Sequence, residues 1–331
     1  MEPAYLRLGG QGERIEQELD PRATWMEPVQ LSDGRIVVPD MQRLVFFDST
    51  GAYQGSAGRR GNGPGEFQQV ARVCRLPGDT LLSISENDRR VILWDSRGKH
   101  IRTFARPGPI LLESCFPNGT LIAPTFDFYM PRDGDSAAAL GVDGAPVEYV
   151  RLRADGTRVS SLGLHPSTRL AMDVTYYVQV SYAAGYLHVA DPRRYEVRSY
   201  DTTAFRLKRI IRVTEPLPAV RAPTTEGRRG TRTAIVTRSA GGNAQRTLTE
   251  PAFGAVVVDD SGRLWIRHFR EWNRCALFDS DGRLVGRLDL TDPALGWMPY
   301  VVGAFGDHVV IKHRDADGAG VLSFYRFRVT D

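Results

Sequence analysis

Short apolar runs recur along this chain in pairs, each pair hinged on a turn that carries glycine: Asp33-Gly34-Arg35, Pro77-Gly78-Asp79, Asn118-Gly119-Thr120, Ala184-Gly185-Tyr186, Ser261-Gly262-Arg263 and Phe305-Gly306-Asp307. After each turn comes a run rich in β-branched and aromatic residues, at 35–38, 80–84, 120–122, 186–189, 263–266 and 308–311, with the composition of a strand. A third run follows in most units and stops at an aspartate, as at 44–48, 91–95, 197–201 and 275–279. That aspartate opens a turn, because its carboxylate can accept from backbone N–H groups two residues on while a following glycine supplies the positive φ. A fourth strand then runs to the rim.

Four antiparallel strands repeated at a period of about 40 to 50 residues predict an all-β fold, a six-bladed β-propeller. The units fall at 25–57, 68–106, 109–163, 177–213, 252–290 and 298–331, and together make residues 1–331 a single domain. The last unit ends after its third strand, within 321–329. A spare strand from the N-terminal stretch 4–19, either 5–8 or 14–19, is expected to complete it, closing the ring and removing a sheet edge.

Composition narrows the class further. With 42% hydrophobic and 25% charged residues the chain can bury an ordinary globular core. It contains no apolar run of membrane-spanning length. The start, Met1-Glu2-Pro3-Ala4, shows no basic region followed by an apolar one, which reads as cytoplasmic as written, or as periplasmic or secreted if a leader was removed. Cys74, Cys115 and Cys275 form no CxxC and are odd in number, which argues against a disulfide framework or thiolate metal cluster and for small buried hydrophobes. Cys74 and Cys115 each precede their turn glycine by four residues, so they hold equivalent places in neighbouring units. The net charge of +4 is small for 331 residues, and its carriers are three lysines against forty arginines spread along the chain. That distribution points away from nucleic acid as a partner.

Between units one and two lies Gly58-Arg-Arg-Gly61-Asn-Gly63-Pro64-Gly65-Glu66-Phe67. A chain crossing from rim to centre needs glycines for tight turns, proline to stiffen them and one large apolar side chain as an anchor. This stretch, with the turn, strand and aspartate pattern after it, resembles the linkers of NHL-repeat and related bacterial six-bladed β-propellers. The resemblance implies the fold; propellers host many functions, so it assigns none.

Two departures from the repeat mark where function concentrates. Unit three carries an insertion between its second and third strands, from Asp127 through Glu148. The linker between units four and five runs from 214 to 251, with arginines at 221, 228, 229, 232, 238 and 246. In a propeller both kinds of segment emerge on the same face, and loops this long are lids, binding loops or disordered segments. The shorter second-to-third strand loops share that face: Asp40-Met-Gln-Arg43, Glu86-Asn-Asp-Arg-Arg90, Asp191-Pro-Arg-Arg194, His268-Phe-Arg-Glu-Trp272 and His313-Arg-Asp315. An acid followed by arginine recurs in them, which favours a turn-capping role; unit five differs in setting an imidazole and an indole among charges. The binding residues expected on this face are Asp127, Tyr129, Arg132 and Asp133, Arg193 and Arg194, and His268, Arg270 and Trp272.

Among enzyme readings, Trp25-Met26-Glu27-Pro28-Val29 is similar to the Glu-x-Pro opening of gluconolactonase-like propellers, and that likeness implies a metal-binding role for Glu27. The other ligands of such a site have at most an echo in Asn118-Gly119, so Glu27 is a weak metal candidate, for Ca²⁺. His100, His165, His188, His268, His308 and His313 fall at different depths of their units, which does not suit zinc. No nucleophile elbow, phosphate loop or dinucleotide fingerprint occurs. The expectation is therefore a non-catalytic propeller, read as a monomer, that binds a protein or small-molecule ligand through its loop-bearing face. Alternatives are a Ca²⁺-dependent hydrolase or lyase working in the channel and, third, RNA binding on a basic face.

Overall fold

The computed structural model describes residues 6–9, 19, 27–85, 89–105, 114–125, 146–169, 175–177, 179–191, 195–202, 206–212, 253–268, 273–291, 295 and 297–327. A strand β1 (Leu6–Gly9) is followed by blade one, β2 (Val29–Gln30), β3 (Ile36–Asp40), β4 (Arg43–Phe47) and β5 (Tyr53–Ala57). Blade two is β6 (Val70–Arg75), β7 (Leu81–Ser85), β8 (Arg90–Trp94) and β9 (His100–Ala105). Blade three is β10 (Ser114–Cys115), β11 (Leu121–Pro124), β12 (Pro146–Leu152) and β13 (Arg158–Arg169), with β14 (Thr175–Tyr177) added outside. Blade four is β15 (Gln179–Ala183), β16 (Tyr186–Asp191), β17 (Glu196–Asp201) and β18 (Leu207–Arg212). Blade five is β19 (Phe253–Val258), β20 (Leu264–His268), β21 (Arg274–Phe278) and β22 (Leu284–Asp289). Blade six has β23 (Trp297–Phe305), β24 (His308–Arg314) and β25 (Gly320–Arg326).

The strand missing from blade six is β1, antiparallel to β25 with Leu6 opposite Phe324 and Leu8 opposite Leu322. Of the two N-terminal stretches, the first therefore closes the ring, while Leu19 adds one isolated bridge to Gly320. The chain is a six-bladed β-propeller.

The runs of apolar residues, continuous and not alternating, follow from burial on both faces. In β3, Ile36 and Val38 pack toward blade six, whereas Val37 between them packs toward blade two. In β4, Val45 and Phe47 take the first direction, Leu44 and Phe46 the second. Because successive strand side chains point to opposite faces, a middle strand sandwiched between two neighbours must be apolar throughout. Each blade interface accordingly has its own apolar cluster. The outermost strands meet solvent and alternate instead, as in β5 and β22.

The aspartate turns close as the sequence suggests, with a second bond besides. Asp48 Oδ1 accepts from Thr50 N at 2.8 Å and Ala52 N at 2.9 Å, Asp95 Oδ1 from Arg97 N at 2.9 Å and Lys99 N at 2.8 Å, and Asp279 Oδ1 from Asp281 N at 2.9 Å and Arg283 N at 2.8 Å. Gly98 sits in such a turn at φ +82°, and a Cβ there would stand 2.8 Å from Ala57 Cβ, so the turn also lets blade two approach blade one. The crossing between those blades is pinned by Phe67, fully buried and 5.5 Å from the Trp94 ring, while Glu66 accepts from Gly63 N at 2.7 Å.

Two expectations are corrected. Cys74 and Cys115 form a disulfide, with Cα atoms 6.2 Å apart. Their equivalent places on β6 and β10, the innermost strands of adjacent blades, bring them within bridging distance; the odd count left one pair and one free thiol. Cys275 alone is a buried thiol, pushed up to about 12 by desolvation. In blade three, the outer strand runs on past the blade to pair with β14, and Glu148 belongs to β12, where it bonds Arg158 and Ser161, not to the insertion.

Candidate functional site at the channel mouth

The two faces of the ring are built differently. On one, the strand one-to-two and three-to-four connections are tight turns such as 31–35, 48–52, 76–80, 95–99, 116–120, 153–157, 259–263 and 279–283. The other face carries the blade-to-blade linkers and the two-to-three loops. Val70 N, at the start of β6, donates to Met41 O at 2.5 Å. The Arg90 guanidinium reaches the carbonyls of Asn62, Gly63 and Gly61 at 2.8, 3.0 and 3.0 Å. Linker and loop thus meet on one face, where the described strand ends that border 126–145 and 213–252 also lie.

Asp127, Tyr129, Arg132, Asp133, Arg193, Arg194, Arg270 and Trp272 lie outside the described residues, as do the 214–251 linker and Glu86 to Asp88. His268 ends β20, its backbone opposite Phe253 at the start of β19. The recurring acid–arginine pairs are structural where they are described: Asp40 is buried and accepts from Arg43 Nε at 2.8 Å. His313, read as a loop residue, lies within β24, buried and 2.8 Å from Ser323 Oγ.

Sequence reasoning missed Glu196, the first residue of β17. Its carboxylate is fully buried and paired with Arg198 and Arg212, each at 2.6 Å. Burial works against its charge, but the bonds from Arg212 and Arg198 outweigh it and hold the carboxyl below its usual range. Arginines sixteen and two residues away carry no sequence signature, so only register could have revealed the trio.

At the centre of the ring, Glu27 and Arg72 come together. Glu27 leads into β2 and Arg72 follows an irregularity in the ladder of β6 that leaves Ala71 unpaired. The Glu27 side chain approaches Gly303 of blade six, whose notional Cβ lies 3.7 Å from Glu27 Cγ, and faces Arg72 of blade two. A blade-one residue can touch both neighbouring blades only at the inner edge, along the channel. Arg72 Nη1 stands 3.8 Å from Glu27 Oε2, beyond hydrogen-bonding range. Desolvation raises the Glu27 carboxyl above its ordinary value, and the Arg72 charge draws it partway back. Its side chain still keeps 40% of its surface open, as a place beside the channel allows.

Several of the described histidines are engaged locally. His188 is buried between Ser199 Oγ at 3.0 Å and Ala183 O at 3.3 Å, and desolvation lowers it to about 4. His165 bonds Leu162 O and His100 bonds Thr103. Among the described residues no three His, Cys, Asp or Glu side chains gather as a metal-holding group.

No protein-family model matches this chain. No curated protein matches it either. Among solved structures, a Bacteroides fragilis protein whose name proposes that it is exported superposes with a TM-score of 0.58 at 11% identity, covering 99% of this chain and 95% of that one. The shared property is the six-bladed fold. A gluconolactonase from Xanthomonas campestris gives a TM-score of 0.48 at 14% identity over 98% of this chain and 97% of its own, and a streptogramin B lyase 0.46 at 11% over 99% and 85%.

Proposed function

We propose that this propeller is a non-catalytic binding module that engages a protein or small-molecule ligand through its loop-bearing face. The observation behind this is the asymmetry of the ring: short turns repeat on one face, while the variation in connection length collects on the other. A rigid scaffold that concentrates its variable segments on one surface is the usual arrangement for recognition. Asp127, Tyr129, Arg132, Asp133, Arg193, Arg194, His268, Arg270 and Trp272 are the proposed contacts. The test is a capture experiment on immobilised protein, with mass spectrometry of what is retained. A variant carrying short glycine-serine turns in place of 127–145 and 214–251 should keep its melting temperature and lose the partner; retention of the same partner by both proteins would refute the reading.

The placement of Glu27 on the channel supports a second reading, a Ca²⁺-dependent hydrolase or lyase. Against it, the group facing Glu27 is the Arg72 guanidinium, a charge of the wrong sign beside a cation seat, and oxygen-bound cations need several converging donors. A Ca²⁺-induced thermal shift that disappears in Glu27→Gln would favour this enzyme reading over the binding one.

A further inference from the structure

The Glu27–Arg72 pair is an unusual use of two charges. Where the carboxylate is buried, opposite charges of this ring close into hydrogen-bonded bridges, as Arg43 does with Asp40 at 2.8 Å and Arg263 with Asp259 at 2.6 Å. Glu27 and Arg72 are instead 3.8 Å apart on different blades, the first just before β2 and the second on β6. Among the described residues neither side chain has a hydrogen-bond partner, and Arg72 keeps 31% of its side-chain surface open. A guanidinium carries five N–H donors in a planar fork that matches a carboxylate. In the free protein channel solvent serves those donors; a ligand carboxylate replaces it with two parallel charge-assisted bonds, the strong kind.

We infer that the Arg72 guanidinium, with Glu27 across the gap, forms an anion-binding subsite in the channel wall that takes the carboxylate group of a small organic molecule. This goes beyond the loop-face reading, since it concerns the inner strands and needs neither long segment. One positive charge suits a singly charged carboxylate better than a dianionic phosphate, which would meet Glu27 across the same gap. Glu27 also sets the pH response. The charged group facing it among the described residues is Arg72 on β6, and β23 presents Gly303, which does not titrate. When Glu27 is ionised it repels an anion at Arg72; when protonated it can donate to that anion. Binding therefore tightens as pH falls through the raised Glu27 value.

Isothermal titration of the full chain with sodium acetate and sodium benzoate, against sodium chloride of equal ionic strength and against inorganic phosphate, tests this over roughly pH 5 to 8. Saturable carboxylate binding is expected. Arg72→Gln should weaken it roughly tenfold or more, the worth of a charged hydrogen-bonded pair. Arg72→Lys, which keeps the charge and loses the fork, should fall between. Glu27→Gln should bind at least as well as the parent and lose the pH dependence, with the melting temperature as the check that each variant is folded. The inference is overturned by binding no stronger than the chloride control, by phosphate binding more tightly than carboxylates, by an unchanged Arg72→Gln, or by loss of binding in Glu27→Gln.

Discussion

Removing the Cys74–Cys115 bridge should destabilise the ring by an amount that can be worked from its loop. The bonded residues are 41 apart in sequence. Closing a loop of that length removes unfolded-state entropy worth about 4 kcal/mol at room temperature in the chain-entropy model. For a chain of this size the unfolding entropy is about 0.7 kcal/mol/K, so the loss corresponds to a fall in Tm of about 6 °C. Cys74→Ala/Cys115→Ala is the suitable variant, since serine would place a hydroxyl at the buried Cys115 site and add a desolvation cost of its own. Calorimetry of parent, variant and reduced parent should give one common loss for the last two. Thiol titration in denaturant should count one free thiol before reduction and three after it. Bridges of this kind persist in oxidising compartments, so the bridged form should accumulate there and the three-thiol form in a reducing cytosol. Three free thiols without reduction, in protein made under oxidising conditions, would remove the bridge; an unchanged Tm in the variant would refute the entropic account.

Other outcomes can be checked on the same material. Phe67→Ala should cost about 3–5 kcal/mol in chemical denaturation, because the fully buried ring anchors the crossing between blades one and two. Leu8→Asp sets a charge at a buried position of the closing strand and should free the edge of β25, seen as larger species in size-exclusion chromatography. Stability should fall as pH drops from about 6.5 towards 4: the unfolded chain protonates His188 first, whereas the folded one resists until about 4, for a loss of about 3 kcal/mol. His165, also lowered by burial, acts in the same direction, and His188→Asn should flatten part of the slope.

The sequence made the blades legible because a propeller repeats one solution. The middle strands must be apolar on both faces, the turns need an aspartate and a glycine at fixed spacing, and the crossing needs Phe67; each of these leaves a local mark. Contacts between blades leave none. The bridge joins cysteines whose equivalence was visible but whose proximity depends on how two inner strands approach the axis. Glu196 depends on β18 lying in register against β17. Glu27 drew attention through its Glu-Pro setting as a cation ligand, and what changes its meaning is Arg72, a blade away and unremarkable among forty arginines.

The strand that completes blade six is far along the chain from the three that it completes. During synthesis, blades one to five can gather as their segments emerge, but the seam cannot be sewn until the last strands are available. Until then β1 has no strand to pair with. Non-local pairing of this kind is slow to form and exposes edges while it waits. The nascent propeller is thus an open arc until β25 is made, and becomes a ring only when β1 finds it.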